Sequence, residues 1–149
     1  MKKYEFTGET KVVFGRTLKQ IRALVKINLD IFTEVNPGDL GGWIEKEENL
    51  THDGNAWVYG DACVYGDACV YGDADINCRE HILTVGPIGS RNDITTFFRT
   101  KENLIKVKCG CFTGTLTEFI DKVEQTHRDN KYAKVYRLAA ELAKQQIEL

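Results

Sequence analysis

The chain has 149 residues, of which 20 are basic and 22 acidic, giving a net charge of -2, and 42% are hydrophobic. That length suits one compact domain or two small subdomains and excludes a large multidomain enzyme. With no basic field to attract a nucleic acid polymer, any charged ligand must be held by a local cluster. No apolar run approaches the length of a membrane span, and the start, Met1-Lys-Lys-Tyr-Glu-Phe6, turns polar too soon for a signal peptide. A cytoplasmic protein with no membrane association is therefore expected. The five cysteines are an odd number, and Cys63 and Cys69 occupy equivalent places in successive repeats, so reduced thiols are expected.

Residues 1–50 read as an N-terminal β cap. Alternation in Lys2-Tyr-Glu-Phe-Thr predicts a strand, Gly8 a turn, and Val12-Val-Phe14 a second apolar run. The segment 17–27 is ambiguous. Leu18, Ile21, Leu24 and Val25 fit helical spacing, whereas Gly15 and the apolar run 24–27 suit a strand, which is the reading preferred. In Asn36-Pro-Gly-Asp-Leu-Gly-Gly-Trp-Ile44, turn residues precede two glycines beside a tryptophan, a pattern that leads the chain into a tight stack.

Residues 51–80 hold four successive units: Gly54-Asn-Ala-Trp-Val-Tyr59, Gly60-Asp-Ala-Cys-Val-Tyr65, Gly66-Asp-Ala-Cys-Val-Tyr71 and Gly72-Asp-Ala-Asp-Ile-Asn77. Self-similarity at a fixed six-residue period predicts a short left-handed β-helix, a hexapeptide solenoid in which three units make one triangular coil. Under strand alternation Ala56, Ala62, Ala68 and Ala74 point inward with Val58, Val64, Val70 and Ile76. Each unit opens on glycine because the chain turns a corner there and needs positive φ. The apolar phase extends to Ile44 and Leu50 upstream and to Ile82 and Ile88 downstream. So thin a core must be covered by the rest of the chain or by another subunit. Trp57, Tyr59, Tyr65 and Tyr71 fall on the outer surface with Cys63, Cys69 and Asp75. These aromatics are expected to form the interface of a homo-oligomer, a trimer or a dimer.

Residues 81–149 read as an α+β subdomain. Ile82-Leu-Thr-Val85, Thr95-Thr-Phe-Phe-Arg-Thr100 and Leu104-Ile-Lys-Val-Lys-Cys109 look like strands, the last two joined by a turn at Lys101-Glu-Asn103. Thr115-Leu-Thr-Glu118 has capping-box spacing and opens a helix with Leu116, Phe119, Ile120 and Val123 on one face. A second helix is predicted over 130–147, with Ala133, Tyr136, Ala140, Ala143 and Ile147 inward. The fold class expected is mainly β with a C-terminal α+β part: a short left-handed β-helix plus a small strand-and-two-helix subdomain.

The Gly38-Asp-Leu-Gly-Gly-Trp-Ile44 segment, the Tyr-Gly-Asp-Ala repeats, Gly86-Pro-Ile-Gly-Ser-Arg-Asn92 and Cys109-Gly-Cys-Phe-Thr-Gly-Thr-Leu116 together resemble the small hexapeptide-repeat proteins carried by phages and prophages of gut-type bacteria. The resemblance covers nearly the whole chain and implies a setting, the cytoplasm of an infected bacterium, more than a chemistry. In size and context the chain is similar to phage accessory proteins that sequester the nucleotide signals of antiphage defence. A non-enzymatic binding role for a small phosphorylated, nucleotide-like ligand is the function this implies.

The residues themselves offer an anion cradle in the segment from Gly86 to Arg99. Two glycines let backbone N–H groups converge, Ser90, Asn92, Thr95 and Thr96 supply polar side chains, and Arg91 or Arg99 can fork a phosphate. Thr113 and Thr115, beside a helix N-terminus, can add donors to the same site. The spacing is neither that of a Walker loop nor that of a dinucleotide fingerprint. Cys109 and Cys111 could ligate zinc with His81 or His127, but a closed site needs a second ligand pair, so no metal and no cofactor are expected. Histidines number only three, and His52, just before the repeats, lacks an acyltransferase or zinc constellation around it. An assembly module without a small ligand, or a solenoid-type acyltransferase, are the alternatives.

Overall fold

In the computed structural model, which describes residues 1–29, 32–147 and 149, the chain folds as two units, Met1–Arg79 and Glu80–Leu149. The first unit begins with β1 (Tyr4–Val13) and β2 (Arg16–Ala23), paired antiparallel. Gly8, expected to end the first strand, instead lies where the register shifts between Phe6 and Thr10, so β1 runs through it as one bulged strand. The ambiguous segment forms β2 because its apolar residues bury at strand positions: Leu18, Ile21 and Ala23 face inward. Two short strands, β3 (Ile27–Asn28) and β4 (Glu34–Val35), pair with each other, and β5 (Leu40–Ile44) adds to the edge of β2. Gly41 and Gly42 make that position possible. A Cβ at Gly41 would stand 2.8 Å from the Trp57 ring, and one at Gly42 2.8 Å from Val58 Cγ1.

Three two-residue strands follow within the repeats: β6 (Trp57–Val58), β7 (Cys63–Val64) and β8 (Asp75–Ile76). All eight alanine and β-branched positions predicted to point inward are no more than 2% exposed. The corner glycines 54, 60, 66 and 72 have φ of 72, 66, 63 and 68°, a region that only glycine enters without strain.

The left-handed β-helix expected from these units is nevertheless not what the chain forms. Its described strands fall into four separate small sheets, of four, four, two and two strands. β7 joins the N-terminal sheet by pairing parallel with β5, β6 pairs only with β8, and the third unit contributes a single bridge, Leu50↔Val70. The physical reason is length. Each corner ends a strand after about two paired residues, and four units are too few for those ladders to grow into continuous parallel sheets. β5 and Leu50 complete the apolar interior instead, while Ile82 and Ile88, expected to prolong the repeat, belong to a strand of the second unit.

The outer surface also differs from expectation. Trp57 is fully buried, because its ring packs under the bare backbone of Gly41, and Cys63 and Asp75 are buried too. Trp57 therefore cannot be an outward anchor for a partner. Tyr59 and Tyr65 are half-buried and engaged within the unit: the Tyr59 hydroxyl donates to Asp75 Oδ1 at 2.7 Å and accepts from Asn77 Nδ2 at 3.0 Å, and the Arg16 guanidinium lies 5.5 Å from the Tyr65 ring centre. Tyr71 is half-buried as well.

In the second unit, β9 (Ile82–Ile88), β10 (Asp93–Arg99), β11 (Ile105–Cys109) and β12 (Phe112–Thr115) form an antiparallel meander in the order β12-β11-β10-β9. The segment 109–115, read from sequence as a turn before the helix, contains a two-residue turn and then the extra strand β12, whose Phe112 pairs with Cys109. The capping box forms as its spacing predicts. Thr115 Oγ1 accepts the Glu118 N–H, and Glu118 accepts the Thr115 N–H. α1 (Leu116–His127) and α2 (Lys131–Gln146), the latter capped by Asn130, bury Phe119, Val123, Ala133, Tyr136 and Ala140 against Phe97 and Val107 of the sheet. No helix among the described residues is long and apolar enough to cross a membrane.

A lysine is buried in the first unit. Lys3 is 3% exposed, and its ammonium donates to the Ala56 carbonyl at 2.6 Å. Burial, opposed only by the Asp53 carboxylate, pushes its pKa from 10.5 down to about 8. The unfolded chain therefore holds this proton more tightly than the folded one. The cost of burying the charge is fully present below pH 8 and disappears as pH rises to 10.5. Stability of the native protein relative to Lys3→Met is expected to rise by roughly 2–3 kcal/mol across that interval, at about 1.4 kcal/mol per pKa unit. Urea unfolding of both proteins at several pH values measures this, and a difference independent of pH would contradict it.

Candidate functional site

The turn between β9 and β10, residues 89–92, brings two polar side chains to the mouth of a cleft in the second unit. Asn92 adopts φ of 52°, and its N–H donates to the Gly89 carbonyl at 3.3 Å, closing the turn and leaving Ser90 and Arg91 exposed at its tip. Gly89, at φ of 80°, passes directly beside the Tyr136 hydroxyl, where a Cβ would fall. That contact fixes the turn over α2.

The cleft has a volume of about 240 Å3. Phe112, Phe119, Val123 and Tyr136 supply apolar and aromatic walls. Arg91, Lys122 and His127 bring positive or protonatable groups, and Asp93, Cys109 and Cys111 complete the chemistry. Helical spacing explains the α1 contribution: residues 119, 122, 123, 126 and 127 share one stripe. His127 stacks on Tyr136 at 5.8 Å between ring centres, 26° from parallel, and so is held at the end of α1.

Polar contacts organise the floor. The Thr95 hydroxyl donates to Cys109 Sγ at 3.2 Å, and the Cys109 thiol in turn lies 4.0 Å from the Tyr136 oxygen. Burial first, then Cys109 and Asp93, push the Tyr136 phenol up to about 12 against the opposing pull of Arg91. Tyr136 therefore keeps its proton at neutral pH and serves the cleft as a hydrogen-bonding group, not as an anion.

The eight residues expected to form one anion cradle are only partly brought together. Ser90 and Arg91 line the cleft, and Asn92 shapes their turn. Thr95 is buried beneath it, holding Cys109. Thr96, next along the strand, faces the other side of the sheet, as strand alternation requires. Arg99 is at the far end of β10, about 20 Å from Asp93 at the rise of a strand, so it cannot share a ligand with Arg91. Thr113 and Thr115 pair across β12 with Lys108 and Lys106, and the Thr115 hydroxyl is already committed to the helix cap. Among the described residues, no group of three or more His, Cys, Asp or Glu side chains gathers to hold a metal ion. None of the five cysteines is in a disulfide.

The sequence reading missed Asp93, Phe112, Lys122, Thr126 and Tyr136 as lining residues. The capping box fixed the start of α1, and extrapolating its stripe from Phe119 would have reached Lys122 and Thr126. Compared with protein-family models, with curated proteins and with solved structures, the chain matches none.

Gly89→Ala is expected to force Tyr136 out of the cleft wall. It should lower stability by about 1–3 kcal/mol through strain at positive φ and loss of that contact, with a change in the tyrosine near-ultraviolet circular dichroism. Ser90→Ala, one residue on, should stay within about 0.5 kcal/mol of the native protein. Equal effects of the two would show that the Gly89 backbone does not hold Tyr136.

Proposed function

We propose that the chain is a non-enzymatic binding protein for a small anionic, nucleotide-like ligand, held in the cleft of the second unit. The observation that carries this reading is the pairing of a cationic mouth with an aromatic wall. Arg91 and Lys122 line the same cleft as Phe112 and Phe119, so a phosphate at the turn and a planar ring against a phenyl group can be engaged together. A guanidinium offers two parallel donors to a phosphate, and Ser90 offers a hydroxyl beside it. Asp93 adds an acceptor for a ligand N–H or hydroxyl, which favours a nucleotide over a bare inorganic anion.

Arg91→Ala is expected to weaken binding of a nucleotide by about tenfold to a hundredfold, the worth of one charge-assisted hydrogen-bonding group, with the unfolding midpoint unchanged. Titration calorimetry against a panel of mono- and dinucleotides measures it, and full binding by the variant would remove the turn from the site. Ligand released by heating the complex should be chemically intact, whereas a converted product would turn the reading toward an enzyme.

The resemblance of the repeat to phage-borne proteins adds a bacterial cytoplasm to this proposal, and the thin core of the repeat adds self-association. Sedimentation of the native protein is expected to give a species larger than the 16.9 kDa chain. A single species at that mass would remove self-association from the reading.

A further inference from the structure

α2 carries apolar side chains on two faces. Its inner face, with Ala133, Tyr136, Ala140 and Ala143, is buried in the core of the second unit. The larger aliphatic side chains of the helix lie on the other side: Leu138 is 73% exposed and Leu142 50%, with Val135 half-buried beside them. Positions 135, 138 and 142 are spaced three and then four apart, so the three side chains form one continuous stripe. That is the a and d spacing of a helix that packs along another helix. Exposed leucines scattered singly mean little, whereas adjoining ones on one stripe mark a surface that is covered in use.

The charges beside the stripe say which occupant fits it. Lys134 and Glu141 are both exposed and seven residues apart, about two helical turns, so they stand on the same flank of the stripe. At 1.5 Å per residue they lie about 6 and 4.5 Å to either side of Leu138 along the helix axis. Opposite charges at nearly equal distances from a centre make a pattern that complements its own reverse. A two-fold axis beside Leu138 sets a second α2 antiparallel and brings each flank against the same flank of the other copy. Lys134 of each chain then comes level with Glu141 of the other, twice over. The Glu141 side chain is 61% exposed, and its contacts are to its own helix, Lys144 at 4.0 Å and the Gln145 amide at 3.3 Å. A parallel copy would instead bring this flank against the opposite one, where Tyr132, Ala139 and Gln146 carry no charge.

We propose that α2 is a self-association surface: two copies of the chain pair antiparallel through Val135, Leu138 and Leu142, with Lys134 and Glu141 fixing the direction. This rests on the self-association in the function proposed above and gives it a face. A single helix face is at the small end of stable interfaces, so a dissociation constant in the micromolar range is expected.

Sedimentation equilibrium over a range of concentrations tests this, with folding of each variant checked by its helical circular dichroism. The native chain is expected to reach twice 16.9 kDa. Leu138→Glu should weaken the dimer about a hundredfold or more by placing a carboxylate at the centre of the stripe. Lys134→Glu and Glu141→Lys should each weaken it about tenfold, by setting like charges level, and the double variant should recover to within about threefold of native. A native chain that stays at 16.9 kDa overturns both this inference and the self-association it rests on. A native oligomer that Leu138→Glu leaves intact, an oligomer of three chains, or a double variant no tighter than the single ones overturns the α2 pairing alone.

Discussion

Everything in the first unit follows from one constraint: a chain that turns a corner on glycine every six residues leaves only about two residues per unit free to pair. Strands that short give each unit one or two ladder hydrogen bonds, and the Ala and Val or Ile side chains between corners make a core only a few atoms thick. Such units cannot stand alone. β5 supplies the missing partner for β7, Leu50 for Val70, and β6 and β8 pair with each other. Gly41 and Gly42 follow from the same constraint, since any side chain there would hold β5 away from Trp57 and Val58.

This explains why the interior of the repeat was legible in the sequence and its architecture was not. Which residues turn inward depends on alternation within six residues, a local property, and Ala56 to Ile76 obey it. Whether stacked units become a β-helix depends on how many there are and on what covers them, and nothing within a repeat records that. Trp57 shows the limit sharply. Alternation puts it on the face opposite Val58, which reads as solvent, yet the outer side of that strand is roofed by Gly41, sixteen positions earlier. The strands and caps of the second unit were more legible because the Thr115–Glu118 box and the residue spacing of α1 are again local signals. The cleft was legible only where one turn carried it, at Ser90 and Arg91. Alternation alone should have separated Thr95 from Thr96, and strand rise should have separated Arg91 from Arg99.

In the second unit the decisive contact is between a backbone and a ring. Gly89 can approach the Tyr136 hydroxyl because it has no side chain, and Tyr136 reaches it because Ala133, Ala139 and Ala140 let α2 lie close on the sheet. The turn carrying Arg91 is thereby fastened to the helix that bears the cleft wall. A ligand group held at Arg91 and one resting on Phe112 would meet surfaces already in place, so little ordering would be lost on binding.

Short ladders have a second consequence, in the polar groups they leave over. Some backbone carbonyls accept from a neighbouring unit, as those of Ala62, Gly72 and Ala74 do, and the others must find a different donor or lose stability. Buried side chains supply those donors: Asn49 Nδ2 to the carbonyls of Gly66 and Ala68, the Tyr4 hydroxyl to Leu50, and the Lys3 ammonium to Ala56. An amide and a phenol do this without bringing a charge into the interior. Lysine does it only by being desolvated, which weakens its hold on the proton. The requirement that satisfies the repeat's backbone is thus met at unequal cost, and the lysine among the donors is the one that gives up hydration of a charge to meet it.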